Sequence, residues 1–183
     1  HKMNTKQLTK MSLCIALLCI SAYISFPIPF TPIMITAQTI VINIIALILS
    51  PKQSAITVGV YTLLGICGLP VFSGATAGIG RLLGPTGGFI IGFIIAAPVI
   101  SLLKGKTNNI VRYLIVTILG GMSIIYLFGT AQLCILNKMD IKAALIAAVI
   151  PFILGDVIKC IVGSYLAMVL NKVLSSRKLG MSD

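Results

Sequence analysis

The sequence predicts an all-α integral membrane protein, a single domain of six transmembrane helices with both termini in the cytoplasm. Of its 183 residues, 58% are hydrophobic and only 9% are charged, whereas a soluble domain is nearer half apolar and about a quarter charged. The apolar residues form continuous blocks of Ile, Leu and Val, not the strict alternation of a membrane β-barrel. We expect one membrane domain over residues 3–183, with His1 and Lys2 as a cloning remnant before Met3.

Six apolar runs are the candidate spans. They cover roughly residues 11–30, 37–50, 53–68, 88–103, 110–136 and 151–172. A span needs about 20 helical residues, so the first and last runs fit, the three after the first are short, and the fifth is long. The fifth also carries Gly120, Gly121 and Gly129, where we expect a tilt or bend. Because backbone in contact with lipid must be hydrogen-bonded internally, each run is predicted to be a helix.

The distribution of lysine and arginine sets the orientation. Ten basic residues fall on the side of the termini: Lys2, Lys6, Lys10, Lys52, Lys104, Lys106, Arg112, Lys172, Arg177 and Lys178. The opposite side holds Arg81, Lys138 and Lys142, and Lys159 lies within a span. Because cytoplasmic loops carry the excess of basic residues, both termini are predicted to be cytoplasmic. The net charge of +11 thus reflects topology, so we expect the lipid bilayer, and not nucleic acid, as a partner.

Segments on the predicted outer side are expected to pack over a site. FPIPFTPIM, residues 26–34, has three prolines and is predicted to be neither a solvated loop nor a helix. The glycine-rich residues 68–88, here called the cap segment, are predicted to form a long loop without secondary structure of its own, and such loops are usually functional or disordered. Its apolar content argues against disorder; the alternative is that both segments are structural re-entrant loops. Residues 137–149 are expected to lie on the outer face before Pro151 opens the last span.

FILGDVIKC, residues 152–160, places two charges inside an apolar run. Asp156 and Lys159 are three residues apart, so they share one helix face. Ionisable groups within a membrane are costly and usually functional; the alternative is a self-neutralising pair that serves only packing. The five cysteines also lie in apolar stretches and have no C-x-x-C spacing, so disulfides and a metal or other cofactor are not expected.

Three motifs occur in order: GLPVFSG, then GRLLGPTGGFIIGF, then GDVIK in the last span. With six short spans, they resemble BioY, the biotin-specific S components of energy-coupling factor (ECF) vitamin transporters, over nearly the whole chain. The resemblance implies the ECF S-component fold and capture of biotin at the outer face. It also implies that a transmembrane coupling protein and two ATPase subunits drive delivery inward. The sequence agrees on one independent point: it has no G-x-x-x-x-G-K-[ST] loop for ATP, so partners must supply the energy.

The resemblance also implies roles for the charged residues. Biotin has a ureido ring with two N–H donors and one carbonyl, an apolar thioether ring, and a valerate chain that ends in a carboxylate. Asp156 suits a ureido N–H, whereas Lys159 can hold Asp156 and donate to the ureido carbonyl. Arg81 suits the carboxylate, and its alternative is an arginine that faces solvent or lipid phosphate.

Five further residues are weaker candidates for contact with biotin. Gln38 and Asn43 are amides in the second helix; Gln38 is the better ligand candidate, and Asn43 is better explained by a bond to a neighbouring helix. Phe72 and Tyr126 are candidates to flank the thioether ring, although aromatic residues in membrane proteins more often pack or anchor at the interface. Ser73 is a polar candidate beside Phe72.

The first helix is the candidate docking face for the coupling protein. S components dock through an A-x-x-x-A-like face, because small residues four apart let helices approach closely. This chain has Ser12 and Ala16 at that spacing, and the alternative is that both are ordinary small residues.

Three other functions compete with biotin capture. One is an S component for another small vitamin. An intramembrane enzyme is disfavoured because the chain has no Glu, has one His in the presumed remnant, and offers no catalytic set beyond a lone Asp and Lys. A passive channel is disfavoured because it needs a polar ring along a pore, and the spans hold one charge pair.

Overall fold

The chain is predominantly helical in the computed structural model, which describes residues 3–27, 29 and 34–179. The helices are α1 Thr5–Ser21, α2 Gln38–Ile48, α3 Pro51–Ile66, α4 Ile79–Leu83, α5 Gly88–Leu103, α6 Ile110–Ile115, a π-helix Val116–Met122, α7 Ser123–Asn137, α8 Ile141–Ala148 and α9 Ile153–Leu179. Two short strands, β1 Ser25–Pro27 and β2 Met34–Thr36, pair in antiparallel fashion.

Each of the six apolar runs contains a helix in the described part of the chain, as predicted. By length and composition, Ile110–Asn137 and Ile153–Arg177 are each able to cross a membrane, whereas Gln38–Ile48 and Gly88–Leu103 are shorter apolar helices. In the fifth run, a π-helix covers Gly120 and Gly121. Such an insertion is a common cause of helix bends, and the tilt or bend itself stays a prediction. The full count of six spans and the side of the termini stay predictions.

The first run departs from the prediction of a continuous helix. Its helix ends at Ser21, and Ser25–Pro27 forms a strand with Phe26 opposite Ile35. Pro27 and Pro29 lack the N–H that a helix interior needs, whereas the edge of a two-stranded ribbon tolerates proline. FPIPFTPIM is predicted not to be a helix, and its two ends are indeed strand residues. Residues 28 and 30–33 of this segment lie outside the described residues.

The cap segment has secondary structure of its own, so the prediction of a structureless loop is wrong. It contains α4 and a bridge between Phe72 and Thr76, closed by a turn in which Gly74 has φ of 75°. Glycine adopts this left-handed conformation without steric cost, so the chain reverses within a few residues. The cap segment is therefore a folded unit that brings distant polar side chains together.

Residues 137–149 contain helix α8, and the last span begins later than predicted. The Asp140 carboxylate accepts a hydrogen bond of 3.0 Å from the Ala143 backbone N–H and so caps the start of α8. Pro151 lies in the turn before α9 and does not open that helix, which begins at Ile153. The turn is closed instead by a bond of 3.0 Å from the Phe152 N–H to the Val149 carbonyl.

Glycines let α5 and α7 approach closely. A Cβ on Gly88 would lie 2.2 Å from the Phe128 carbonyl oxygen, and a Cβ on Gly92 would lie 2.8 Å from the Ile125 Cα. Gly129 has the same role on α7, because a Cβ at this position would lie 2.4 Å from the Phe89 ring of α5. The two helices therefore form a tightly packed platform.

Helix α2 runs through the core, where Ile42, Ile45 and Leu47 are buried. Polar side chains of other helices satisfy its C-terminal carbonyls: Ser101 Oγ donates to Leu49 at 2.6 Å and Asn171 Nδ2 to Leu47 at 3.2 Å. These bonds hold the helix in place, and with it the residues at its opposite end.

Candidate substrate-binding site

A cavity lies beneath the cap segment, between β2, α2, α5, α7, α8 and α9. The side chains that line it are Thr36, Gln38, Thr39, Ser73, Arg81, Thr86, Phe89, Ile90, Phe93, Ile125, Tyr126, Ala148, Phe152, Asp156 and Lys159. Six of the eight predicted contacts are among them: Gln38, Ser73, Arg81, Tyr126, Asp156 and Lys159. The fold therefore brings into one cavity residues that are more than a hundred positions apart in sequence.

Asp156 and Lys159 form an ion pair in the wall of this cavity. Lys159 Nζ lies 3.5 Å from Asp156 Oδ1, and the side chains are only 15% and 14% exposed, respectively. The Tyr126 hydroxyl donates to the other carboxylate oxygen, Oδ2. Asp156 also lies in the first turn of α9, where the helix dipole stabilises a negative charge. Both oxygens of one carboxylate are thus held by donors, which fixes the direction of its remaining lone pairs.

Arg81 is held by three hydroxyl groups of the cap segment. Its Nη2 donates to Ser73 Oγ at 2.8 Å and its Nε to Thr76 Oγ1 at 3.3 Å, while Nη1 donates to the Thr86 hydroxyl. Hydroxyl groups orient a guanidinium without neutralising it, and no carboxylate pairs with Arg81 among the residues that the structure describes. Burial lowers the pKa of Arg81 from its ordinary value, but a guanidinium remains charged at neutral pH. Its positive charge is therefore available to an anion.

The charges that line the cavity do not cancel. Arg81 and Lys159 contribute two positive charges and Asp156 one negative charge, which leaves a formal charge of +1. Electrostatic complementarity favours a ligand that carries one negative charge. Sequence reasoning assigned the individual charges, but their sum is a property of the assembled cavity.

Aromatic and aliphatic side chains form the rest of the wall. Phe89, Ile90 and Phe93 come from one face of α5, and Ile125 of α7 and Phe152 also line the cavity. These residues were not singled out from the sequence, because apolar residues at helical spacing face a core, lipid or a cavity with the same pattern. An apolar wall with a few fixed polar groups is typical of small-molecule sites.

Gln38 enters a hydrogen-bonded chain that ties α2 to the cap segment. Its side chain is 2% exposed, and its Nε2 donates to the Tyr61 hydroxyl. The Tyr61 hydroxyl in turn donates to the Val71 carbonyl at 2.9 Å. The amide of Gln38 is therefore fixed in orientation where it meets the cavity.

Two predicted contacts, Asn43 and Phe72, do not line the cavity. Asn43 is 1% exposed and its Nδ2 donates to Cys160 Sγ at 3.5 Å, which is the bond to a neighbouring helix anticipated for it. Phe72 is buried under the cap segment, where its ring packs edge-on against Tyr61 with centroids 5.9 Å apart. Tyr126 lines the cavity, but its hydroxyl is bonded to Asp156.

Ser12 and Ala16 lie on the exposed side of α1, separate from the cavity. Ser12 Oγ donates to the Leu8 carbonyl at 2.8 Å, so this hydroxyl is already satisfied and presents a small surface. Leu13 and Leu17 are exposed beside them, at 62% and 55%. This face is therefore accessible to lipid or to another helix.

The chain resembles known proteins along most of its length. The BioY family profile matches residues 1–176. The biotin transporter BioY of Thermotoga maritima is 37% identical over 168 residues, which cover 92% of this chain and 97% of the relative. The biotin transporter BioY2 of Lactococcus lactis subsp. cremoris is 32% identical over 176 residues, 94% of each chain.

A solved structure has the same fold. The crystal structure of the S-component for biotin from an ECF-type ABC transporter superposes with a TM-score of 0.87 at 29% identity, over 93% of this chain and 95% of that one. The fold and sequence thus agree along nearly the full length, and the chain belongs to the BioY family.

Proposed function

We propose that this chain is the biotin-binding S component of an ECF-type ABC uptake transporter. It captures biotin at the outer face of the bacterial cytoplasmic membrane and delivers it inward with its partners. The observation that carries the proposal is one cavity that combines an unneutralised Arg81, a held Asp156–Lys159 pair and an aromatic wall. These features complement, respectively, the carboxylate, the ureido ring and the apolar body of biotin. Relatives named as biotin transporters support the choice of vitamin.

Each polar group of biotin has a proposed partner. Asp156 accepts a hydrogen bond from a ureido N–H, and Lys159 donates to the ureido carbonyl, which suits their acceptor-only and donor-only chemistry. Arg81 binds the carboxylate, with Ser73 beside it. Phe89 and Phe93 flank the thioether ring and the valerate chain, and the chain acts by binding and not by catalysis.

The proposed topology has six transmembrane helices with both termini in the cytoplasm. It is supported by the helix found in each apolar run and by the excess of basic residues on one side. The cap segment and the cavity then lie towards the outer face, where biotin arrives. The proposed partners are the bilayer, a transmembrane coupling protein and two ATPase subunits, since the sequence carries no phosphate-binding loop of its own.

Isothermal titration calorimetry of the detergent-solubilised protein tests the proposal. We expect one biotin per chain with a dissociation constant of about 1 nM, equivalent to about −12 kcal/mol. Calorimetry suits this chain because it has no Trp to report binding by fluorescence. Thiamine, which is cationic and lacks a ureido ring, is the control ligand and is not expected to bind. An affinity for biotin no better than millimolar, or tighter binding of thiamine, would refute the proposal.

Assembly with the energising module tests the docking face. We expect Ala16→Leu to reduce copurification with the coupling protein and the ATPases, because a bulky side chain separates helices that pack on small residues. Biotin binding should be unchanged, since Ala16 lies outside the cavity. Ala131→Leu is the matched control, an exposed alanine on α7. Normal recovery of the complex with Ala16→Leu would place the docking face elsewhere.

A further inference from the structure

Within the cap segment, the short helix that carries Arg81 is held through one side chain, because the Arg81 guanidinium bonds to Ser73, Thr76 and Thr86. Helix α4 has only five residues, Ile79–Leu83, and none of them is buried. An isolated helix of this length is not stable in itself. It begins after Gly78, whose φ of 95° is a left-handed conformation, and it ends at Gly84. The position of its backbone therefore depends also on contacts from outside the segment, such as the packing of Leu82 against the core.

Gln132 of α7 supplies such a contact. Its Nε2 donates to the Leu82 carbonyl at 2.8 Å and to the Gly84 carbonyl at 2.6 Å, so both amide hydrogens are used. These carbonyls are at the C-terminal end of α4, where backbone acceptors lack partners within the helix. One side chain thus bonds to two carbonyls on either side of the end of α4, and the Gly84 carbonyl also accepts from the Gly87 N–H at 3.1 Å.

The base of Gln132 is itself fixed. A Cβ on Gly88 would lie 2.8 Å from the Gln132 Cβ, so the side chain leaves α7 where α5 packs closely against it. Gln132 does not line the cavity, whereas Arg81, three residues before Gly84, does. The amide therefore connects the rigid α5–α7 platform to the helix that presents the guanidinium.

We infer that Gln132 is a positioning residue for the ligand carboxylate, acting through α4 and Arg81. This inference rests on the proposed function, because it assigns the carboxylate of biotin to Arg81. Without the two bonds from Gln132, the C-terminal end of α4 loses its connection to α7, and the backbone that carries Arg81 shifts relative to Ser73 and Thr86, which orient the guanidinium. The expected defect is confined to the part of the ligand that Arg81 contacts.

Gln132→Met tests the inference, because it keeps the length of the side chain and removes both donors. By calorimetry, we expect about a tenfold loss of affinity for biotin, the ratio that loss of one or two hydrogen bonds produces. Biotinamide, in which a neutral amide replaces the carboxylate, should bind the variant and the parent within about threefold. In an Arg81→Gln background, Gln132→Met should add less than about threefold for biotin, because the two residues act in series.

Asn137→Leu is the matched control, since it removes an exposed amide at the end of the same helix, and it should leave both affinities unchanged. If Gln132→Met does not fold, Gln132→Asn is the second variant. It retains the amide, but its shorter side chain does not reach the Leu82 and Gly84 carbonyls, so the same expectations apply. Equal losses for biotin and biotinamide would show a general structural role, and binding of biotin within twofold of the parent would show no role; either overturns the inference. Failure of the parent to bind biotin would instead overturn the proposed function.

Discussion

Asp156→Asn is expected to weaken biotin binding about 10²- to 10³-fold, the largest effect of any single substitution considered. The amide keeps the shape of the carboxylate but loses its charge and one acceptor. Its NH₂ would then face either the Tyr126 hydroxyl or the Lys159 ammonium, both of which donate to the carboxylate now. Lys159, only 15% exposed, would remain without its partner, and breaking one member of a buried pair costs about 3–5 kcal/mol.

Asp140→Asn is the control for this substitution. Asp140 is exposed and caps α8, and asparagine is as good an N-cap as aspartate. It should therefore bind biotin like the parent. Calorimetry on both variants, with thermal unfolding as a check of the fold, gives the comparison. If Asp156→Asn stays folded and binds biotin within threefold of the parent, the ion pair serves packing and the assignment of the ureido site is wrong.

Arg81→Gln is expected to weaken biotin binding about 10- to 100-fold, since a hydrogen bond to a charged group contributes about 1.5–3 kcal/mol. A rim arginine that reorganises on binding would contribute less, about 0–1 kcal/mol. Arg81 is already oriented by Ser73, Thr76 and Thr86, so little order is lost when an anion binds. The expected loss of affinity is smaller than for Asp156→Asn, because water partly rehydrates the biotin carboxylate near the outer face when the guanidinium is removed.

Two comparisons separate the charge of Arg81 from its shape. Arg81→Lys keeps the charge but loses the fork that matches a carboxylate, so it should fall between the parent and Arg81→Gln. Arg112→Gln is the control, since Arg112 is exposed and bonds to the Leu103 carbonyl away from the cavity. Biotinamide should bind Arg81→Gln and the parent alike. A loss as large for biotinamide as for biotin would mean that Arg81 does not contact the carboxylate.

Among the residues predicted for the site, those that are chemically unusual for their surroundings line the cavity. Asp156 and Lys159 stand out because charges in an apolar run are costly, and both line the cavity. Arg81 stands out as the lone arginine of its segment, and the structure places it in the same cavity. Their contacts with biotin remain predictions for the measurements above.

The sequence was least informative about which residues line the cavity where the residue type is common in apolar helices. Phe72 and Phe89 are both phenylalanines in apolar surroundings, yet Phe89 lines the cavity and Phe72 is buried against Tyr61. Asn43 and Gln38 share one helix, but only Gln38 reaches the cavity. Helical spacing tells which residues share a face; it does not tell whether lipid, core or ligand lies against that face.

The sequence by itself determined that this chain belongs in a membrane and which six apolar runs contain helices, and it singled out Arg81, Asp156 and Lys159 as candidates for a ligand. Those properties depend on composition and on local periodicity, which are properties of one segment and do not require its neighbours in the fold. Only the tertiary structure decided that Arg81, Tyr126 and Asp156 share one cavity with a net positive charge, and that Gln132 holds α4. Those relations depend on how α5 and α7 pack through their glycines, and such distances between segments are set by side-chain fit across the whole core.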